Sequence, residues 1–295
     1  MQLNKKTVSL VLGSGGARGL AHIGVIKWLE ENNYEIKSIV GCSIGSLIGG
    51  VYAAGKLDQL GDWMISLTKM DVISLLDVSW TGSGIFKGDK VINVLVEFIG
   101  DIQIEDLPIP FTAVAADIEA EKEVWINSGS LFGAIRASVS LPLFFTPYDY
   151  NGIKLIDGGV LNPVPIAPTF NDDTDLTIAV NLGGAISSVE DNIAPSYGSE
   201  VDESSIQSGI KKLIQTIKDT GKNKAERNWG MYDVADKAFD AMQSTIGRQK
   251  IAAYPPDVEI IIPRNACGTL EFERSAEMIA LGYQKAKEFT KGKTI

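Results

Sequence analysis

The stretch IKSIVGCSIGSLIGGVYAA, residues 36–54, decides the fold. Ile36 to Val40 is a short apolar run of the kind that forms a buried strand, and Ile44 to Ala54 carries helical patterning. Between them lies Gly41-Cys42-Ser43-Ile44-Gly45, a G-x-S-x-G sequence on a strand-to-helix turn. A serine on such a turn is held with its hydroxyl exposed, and flanking glycines leave room for a strained backbone. The start of the following helix favours negative charge forming nearby. The same residues also suit a glycine-rich turn with no chemistry, so Ser43 acquires meaning only from its partners.

Working outward, Thr7 to Leu12 reads as a first strand that ends in Gly13-Ser14-Gly15-Gly16, and a helical pattern follows over Gly19 to Asn32. Strand, helix, strand, helix with short joints implies βαβ units and a mostly parallel sheet. Further strands are expected at Phe111–Ala116, Glu123–Ile126, Ile153–Ile156, Leu176–Asn181 and Val258–Ile262. Gly184 to Ser205 reads as a loop rich in Ser, Asp, Glu and Gly. Helices are expected over Ser205–Glu226, Asp233–Lys250 and Leu270–Phe289. The whole suggests one α/β domain over residues 1–295 with a helical C-terminal portion. Its core would span about 7–185, a variable helical or lid region 186–255, and a closing strand and helix 256–290.

Bulk properties narrow the function. The chain has 295 residues, 45% of them hydrophobic and 22% charged, which is a globular composition. Its net charge of -10 repels phosphate backbones, which argues against a nucleic-acid partner. Two distant cysteines, Cys42 and Cys267, write no disulfide framework and fit a reducing, cytoplasmic setting. The apolar run after Lys5 and Lys6 is too short for a signal-peptide core. No run approaches the roughly 20 apolar residues of a spanning helix.

A nucleophilic serine needs a base. The chain contains one histidine, His22, which precedes Ser43 and sits where a structural role is expected; no histidine follows to close a Ser-acid-His triad. Either Ser43 is not a nucleophile, or its base is a carboxylate. Asp157, in Leu155-Ile156-Asp157-Gly158-Gly159, ends an apolar strand, where catalytic groups gather in open α/β sheets. An ordinary Asp-Gly turn explains the same residues, and Asp117 also follows a strand. The loop Gly13 to Gly19 lacks the Gly-Lys-Ser/Thr of a phosphate loop, and Arg18 stands where a dinucleotide fingerprint wants glycine. An oxyanion hole asks only for backbone donors beside a nucleophile, with Arg18 available to lock the turn.

Together, Gly15-Gly16-Ala17-Arg18-Gly19, Gly41-Cys42-Ser43-Ile44-Gly45 and Asp157-Gly158-Gly159 resemble the patatin-like phospholipase family. Ala137-Ser138-Val139-Ser140-Leu141-Pro142, with Phe145 and Pro147, and Asn162-Pro163-Val164-Pro165 are similar to the family's pattern around the aspartate. The chain looks like the short bacterial members related to the neuropathy target esterase domain. The resemblance implies a three-layer α/β/α fold and a serine acyl hydrolase of phospholipase A, lysophospholipase or esterase type. It further implies Ser43 as nucleophile, Asp157 as its partner, and Gly15, Gly16, Ala17 and Arg18 as the oxyanion hole, with no cofactor and no metal. The competing reading is a non-catalytic or weakly active regulatory protein on the same fold.

A lipid substrate raises the question of membrane contact. Between Ser205 and Asn228, Ile206, Ile210, Leu213, Ile214 and Ile217 follow helical spacing, and Lys211, Lys212, Lys218, Lys222, Lys224 and Arg227 outnumber the acids. Such a helix can lie on anionic lipid or bury its stripe in its own core. Peripheral contact with the inner face of a membrane is the corresponding expectation.

Overall fold

The computed structural model describes residues 5–75, 86–187 and 231–291. Their strands are β1 (Lys6–Leu12), β2 (Tyr34–Cys42), β3 (Phe111–Asp117), β4 (Lys122–Ile126), β5 (Tyr148–Tyr150), β6 (Ile153–Asp157), β7 (Leu176–Gly184) and β8 (Val258–Pro263). The helices are α1 (Ala21–Glu31), α2 (Ile44–Ala53), α3 (Leu57–Ser66), α4 (Lys69–Leu75), α5 (Asp89–Ile99), α6 (Leu131–Ser138), α7 (Met231–Ala253) and α8 (Ser275–Lys291). Every expected strand forms. β5 was not anticipated; it is joined to β6 by Asn151-Gly152, both at positive φ (53° and 84°), the Asn-Gly signature of a tight hairpin. The expected helix Ser205–Glu226 lies outside the described residues.

The eight strands form one mixed sheet in the order β5-β6-β3-β2-β1-β7-β8, with β4 paired to β3. Strands β3, β2, β1, β7 and β8 run parallel, while β4, β5 and β6 supply the antiparallel pairings. Parallel strands covered on both faces must be apolar throughout. Accordingly, β1 is buried from Val8 to Leu12.

The two covering layers are unequal. Val8, Leu10 and Leu12 point into the main core together with residues of α1, α2, α6 and α8. Val11 and Ala179 point the other way, under Val164 and Ile166 with Ile251 of α7 alongside. Helices α1 and α8 touch backbone to backbone. A Cβ on Gly24 would lie 1.9 Å from Ile279 O, and one on Gly282 would lie 1.9 Å from Ala21 O. The Gly282→Ala variant is therefore expected to lose about 1–3 kcal/mol through overpacking, measured as a lower denaturant midpoint; an unchanged midpoint would show that the helices can separate freely.

Candidate active site

Ser43 stands between β2 and α2 with φ 56° and ψ −124°, a left-handed conformation unfavourable for a residue with a side chain. Glycines make the turn possible. A Cβ on Gly41 would meet Gly45 O at 2.4 Å, and one on Gly45 would meet Leu12 O at 2.1 Å. The strand-to-helix elbow is thus so tight that only glycine fits on either side of the serine.

The register of β3 explains why Asp157 arrives beside this serine. At Val114, β3 pairs with Cys42 of β2 on one edge and Trp125 of β4 on the other. One residue on, at Ala115, β4 keeps its edge and Asp157 of antiparallel β6 takes the place of β2. Strands β2 and β6 therefore run toward each other along the same edge of β3, and their C-terminal ends meet. Ser138, at the end of α6, fills the junction: its hydroxyl donates to Val114 O at 2.6 Å and accepts from Ser43 N–H at 2.8 Å. Ser140 O accepts from Asp157 N–H at 2.9 Å. Both serines belong to the 137–142 stretch singled out in the sequence, where no role was assigned to either.

Ser43 Oγ donates to Asp157 Oδ2 at 2.5 Å. The other oxygen, Oδ1, accepts from Gly159 N–H at 2.7 Å. One carboxylate oxygen thus closes the Asp-Gly turn while the other meets the serine. Asp157 is fully buried, and desolvation pushes its carboxyl up from 3.8 to about 7 despite the opposing hydrogen bonds from Ser43 and Gly159. Asp117, the other strand-end acid, accepts from the backbone of Glu119 and Ala120 and so forms a local turn. His22 is buried and hydrogen-bonds Gly13 O through Nε2 at 2.9 Å. Burial pushes it down to about 4, so it is a neutral donor bracing the glycine loop.

That loop lies along the same site. Gly15 and Gly16 donate their N–H groups to no other described residue. The N–H of Ala17 is already donated to Thr269 O at 2.9 Å, so Ala17 closes the loop instead of offering the free donor expected of it. The Arg18 guanidinium donates to Asp240 at 2.6 Å and to the carbonyls of Arg264 and Cys267. It locks the turn from behind. No sequence signal linked Arg18 to Asp240, 222 residues away.

Ser43 opens into a cavity of about 150 Å³ bounded by Ser14, Gly15, Gly16 and Arg18 on the polar side. Its apolar walls come from Leu47 of α2, Trp63 and Met64 of α3, Ile92 and Leu95 of α5, Ile135 of α6 and Phe239 of α7. Residues 55–110, where no helix was anticipated, thus supply much of the lining through three of them. The basic amphipathic segment of the sequence falls outside the described residues. Among the described residues, no helix is long and apolar enough to cross a membrane.

Comparison with known proteins places this geometry in a wider setting. Residues 10–170 match the family model described as patatin-like phospholipase. An uncharacterized NTE family protein of Mycobacterium tuberculosis is 36% identical over 93% of this chain and 89% of its own. A lysophospholipase NTE1 of Coccidioides immitis is 29% identical over 96% of this chain but only 18% of its own length. The neuropathy target esterase sws of Drosophila melanogaster is 31% identical over 68% of this chain and 14% of its own. In fold, the chain is similar to VipD from Legionella pneumophila, with a TM-score of 0.50, 15% identity, and 98% of this chain and 67% of that one covered.

Proposed function

The chain belongs to the patatin-like phospholipase family, and from that premise we propose a serine acyl hydrolase that cleaves lipid esters through a Ser43–Asp157 pair and an acyl-enzyme. The observation that carries this reading is the 2.5 Å hydrogen bond from a strained, cavity-facing serine to a buried carboxylate. Asp157 accepts the Ser43 proton as Oγ attacks the ester carbonyl. A carboxyl raised to about 7 is ionised in part at neutral pH and is a stronger base than an ordinary aspartate. Negative charge on the carbonyl oxygen is met by the N–H groups of Gly15 and Gly16, held in place by Arg18. The proton on Asp157 passes to the departing alcohol, and a water molecule, deprotonated by the same carboxylate, releases the acyl group.

The apolar cavity walls fit an acyl chain, and the relatives named as lysophospholipases support a phospholipid or lysophospholipid substrate. Such an enzyme works in the cytoplasm and touches the membrane from one side to reach its substrate. A fluorophosphonate probe tests the nucleophile directly, since it reacts covalently only with an activated serine. Labelling mapped to Ser43 and absent from Ser43→Ala is the expected result. A folded wild-type protein that takes up no label would instead favour the non-catalytic interaction protein.

A further inference from the structure

The family match ends at residue 170, yet α7, more than 60 residues beyond, packs against the glycine loop and the turn after Asp157. Its inward stripe repeats at helical spacing: Asp236, Asp240, Gln243, Gly247 and Lys250. Asp236 accepts from Thr269 Oγ1 at 3.0 Å, Asp240 pairs with Arg18, and Lys250 pairs with Glu123. These contacts set the helix at one height over the site. At that height Gln243 is buried, and its Nε2 donates to Ser14 Oγ at 3.0 Å. A Cβ on Gly159 would lie 2.0 Å from Gln243 Nε2, 2.7 Å from Ser14 Oγ and 3.0 Å from Asp157 Oδ1. The carboxamide therefore fills the space directly over Gly159, on the Oδ1 side of Asp157, and borders the same cavity as Ser43.

We propose that Gln243 is a positioning residue that seals the Oδ1 side of the Asp157 carboxyl against water, so that α7 forms a working part of the dyad. The inference rests on the Ser43–Asp157 reading. The seal acts through volume: the carboxamide occupies the space over Gly159 next to Oδ1, and the Ser14 hydrogen bond keeps it there. Water admitted at this point would solvate the carboxylate and remove the desolvation that raises its basicity.

The inflection of a rate-against-pH profile reports this. Of the other charged groups around the dyad, Arg18 is paired with Asp240, Lys250 with Glu123 and Arg136 with Asp89, and Asp236 accepts from Thr269. The Cys42 thiol is pushed well up by burial, and His22, behind the loop, is pushed down to about 4. An inflection near neutrality thus belongs to Asp157. With a soluble nitrophenyl ester, kcat and KM are measured against pH for the wild type, Gln243→Ala and Gln243→Leu. In Gln243→Ala the inflection is expected to move down by about one pH unit or more, a tenfold change in acidity, with a lower plateau kcat. Gln243→Leu retains the bulk and keeps the wild-type inflection. An inflection that stays put in a folded Gln243→Ala overturns the proposal, as does a shift in Gln243→Leu as large as that of the alanine variant. Gln243→Ser, which opens the same gap, carries the test if the alanine variant does not fold. Ser43→Ala, run alongside, keeps the two claims apart. Hydrolysis by that variant would refute the nucleophile, whereas Ser43-dependent hydrolysis with an unmoved inflection refutes only the seal.

Discussion

Asp157→Asn is expected to lose hydrolysis almost completely and, above neutral pH, to melt at a higher temperature than the wild type. On the proposed mechanism the activity loss follows from removing the base, which is worth about 10²–10⁴ in rate. The stability gain follows from linkage. Asp157 titrates at 3.8 when unfolded but at about 7 in the fold, so between those values the folded chain holds a proton the unfolded chain has released. Stability contributed by this group is therefore full below 3.8 and is lost as pH rises to about 7. A shift of that size in a fully buried group corresponds to about 4 kcal/mol at alkaline pH. Asparagine resembles the protonated acid: its oxygen accepts from Gly159 N–H and its NH₂ faces Ser43 Oγ, without the charge. At pH 8 a rise in melting temperature of roughly 5–10 °C is expected, shrinking to nothing near pH 4. His22 titrates over the same window with the opposite sign, losing stability as pH falls from 6.5 toward about 4. Only the difference between variant and wild type at each pH isolates Asp157. A melting difference that does not change with pH would mean that the carboxyl is not held neutral by burial.

The second large effect concerns Ser43, where glycine and alanine replacements are expected to be equally inactive but unequally stable. Removing a nucleophile that acts as a unit with its base costs about 10⁴–10⁶ in kcat. Both variants lose the hydrogen bond to Asp157 Oδ2. They differ in that alanine must still adopt φ 56° and ψ −124°, whereas glycine adopts it without a clash. The strain is worth about 1–3 kcal/mol, offset in part by about 0.5–1 kcal/mol from the greater freedom of unfolded glycine. Ser43→Gly should thus melt above Ser43→Ala by roughly 2–4 °C. Equal melting temperatures would indicate that the elbow relaxes once the hydroxyl is gone.

The strands were readable because parallel strands buried on both faces leave unbroken apolar runs, as in Val8 to Leu12. The β5 hairpin was readable in Asn151-Gly152 and was passed over. Helices α3 and α5 were readable as well: Leu57, Leu60 and Met64 in one, and Val91, Leu95 and Ile99 in the other, repeat at helical spacing and pack on the main core. Helix α7 was expected, but its inward face was not: Asp236, Asp240, Gln243 and Lys250 have the spacing of an ordinary solvated face. Polar residues at helical spacing do not say whether water or a glycine loop lies opposite.

What the chain determines by itself is local. A strand, an elbow too tight for anything but Gly41 and Gly45, and a helix force the backbone of Ser43 into its strained shape, because φ and ψ depend on immediate neighbours. The identity of the carboxyl that meets Ser43, and its basicity, are not local. Asp157 lies 114 residues from Ser43, and the two meet because β2 and β6 end head to head along one edge of β3. The Asp157 carboxyl is raised only because distant segments exclude water from it, and desolvation is a property of the assembled fold that no stretch of sequence carries alone.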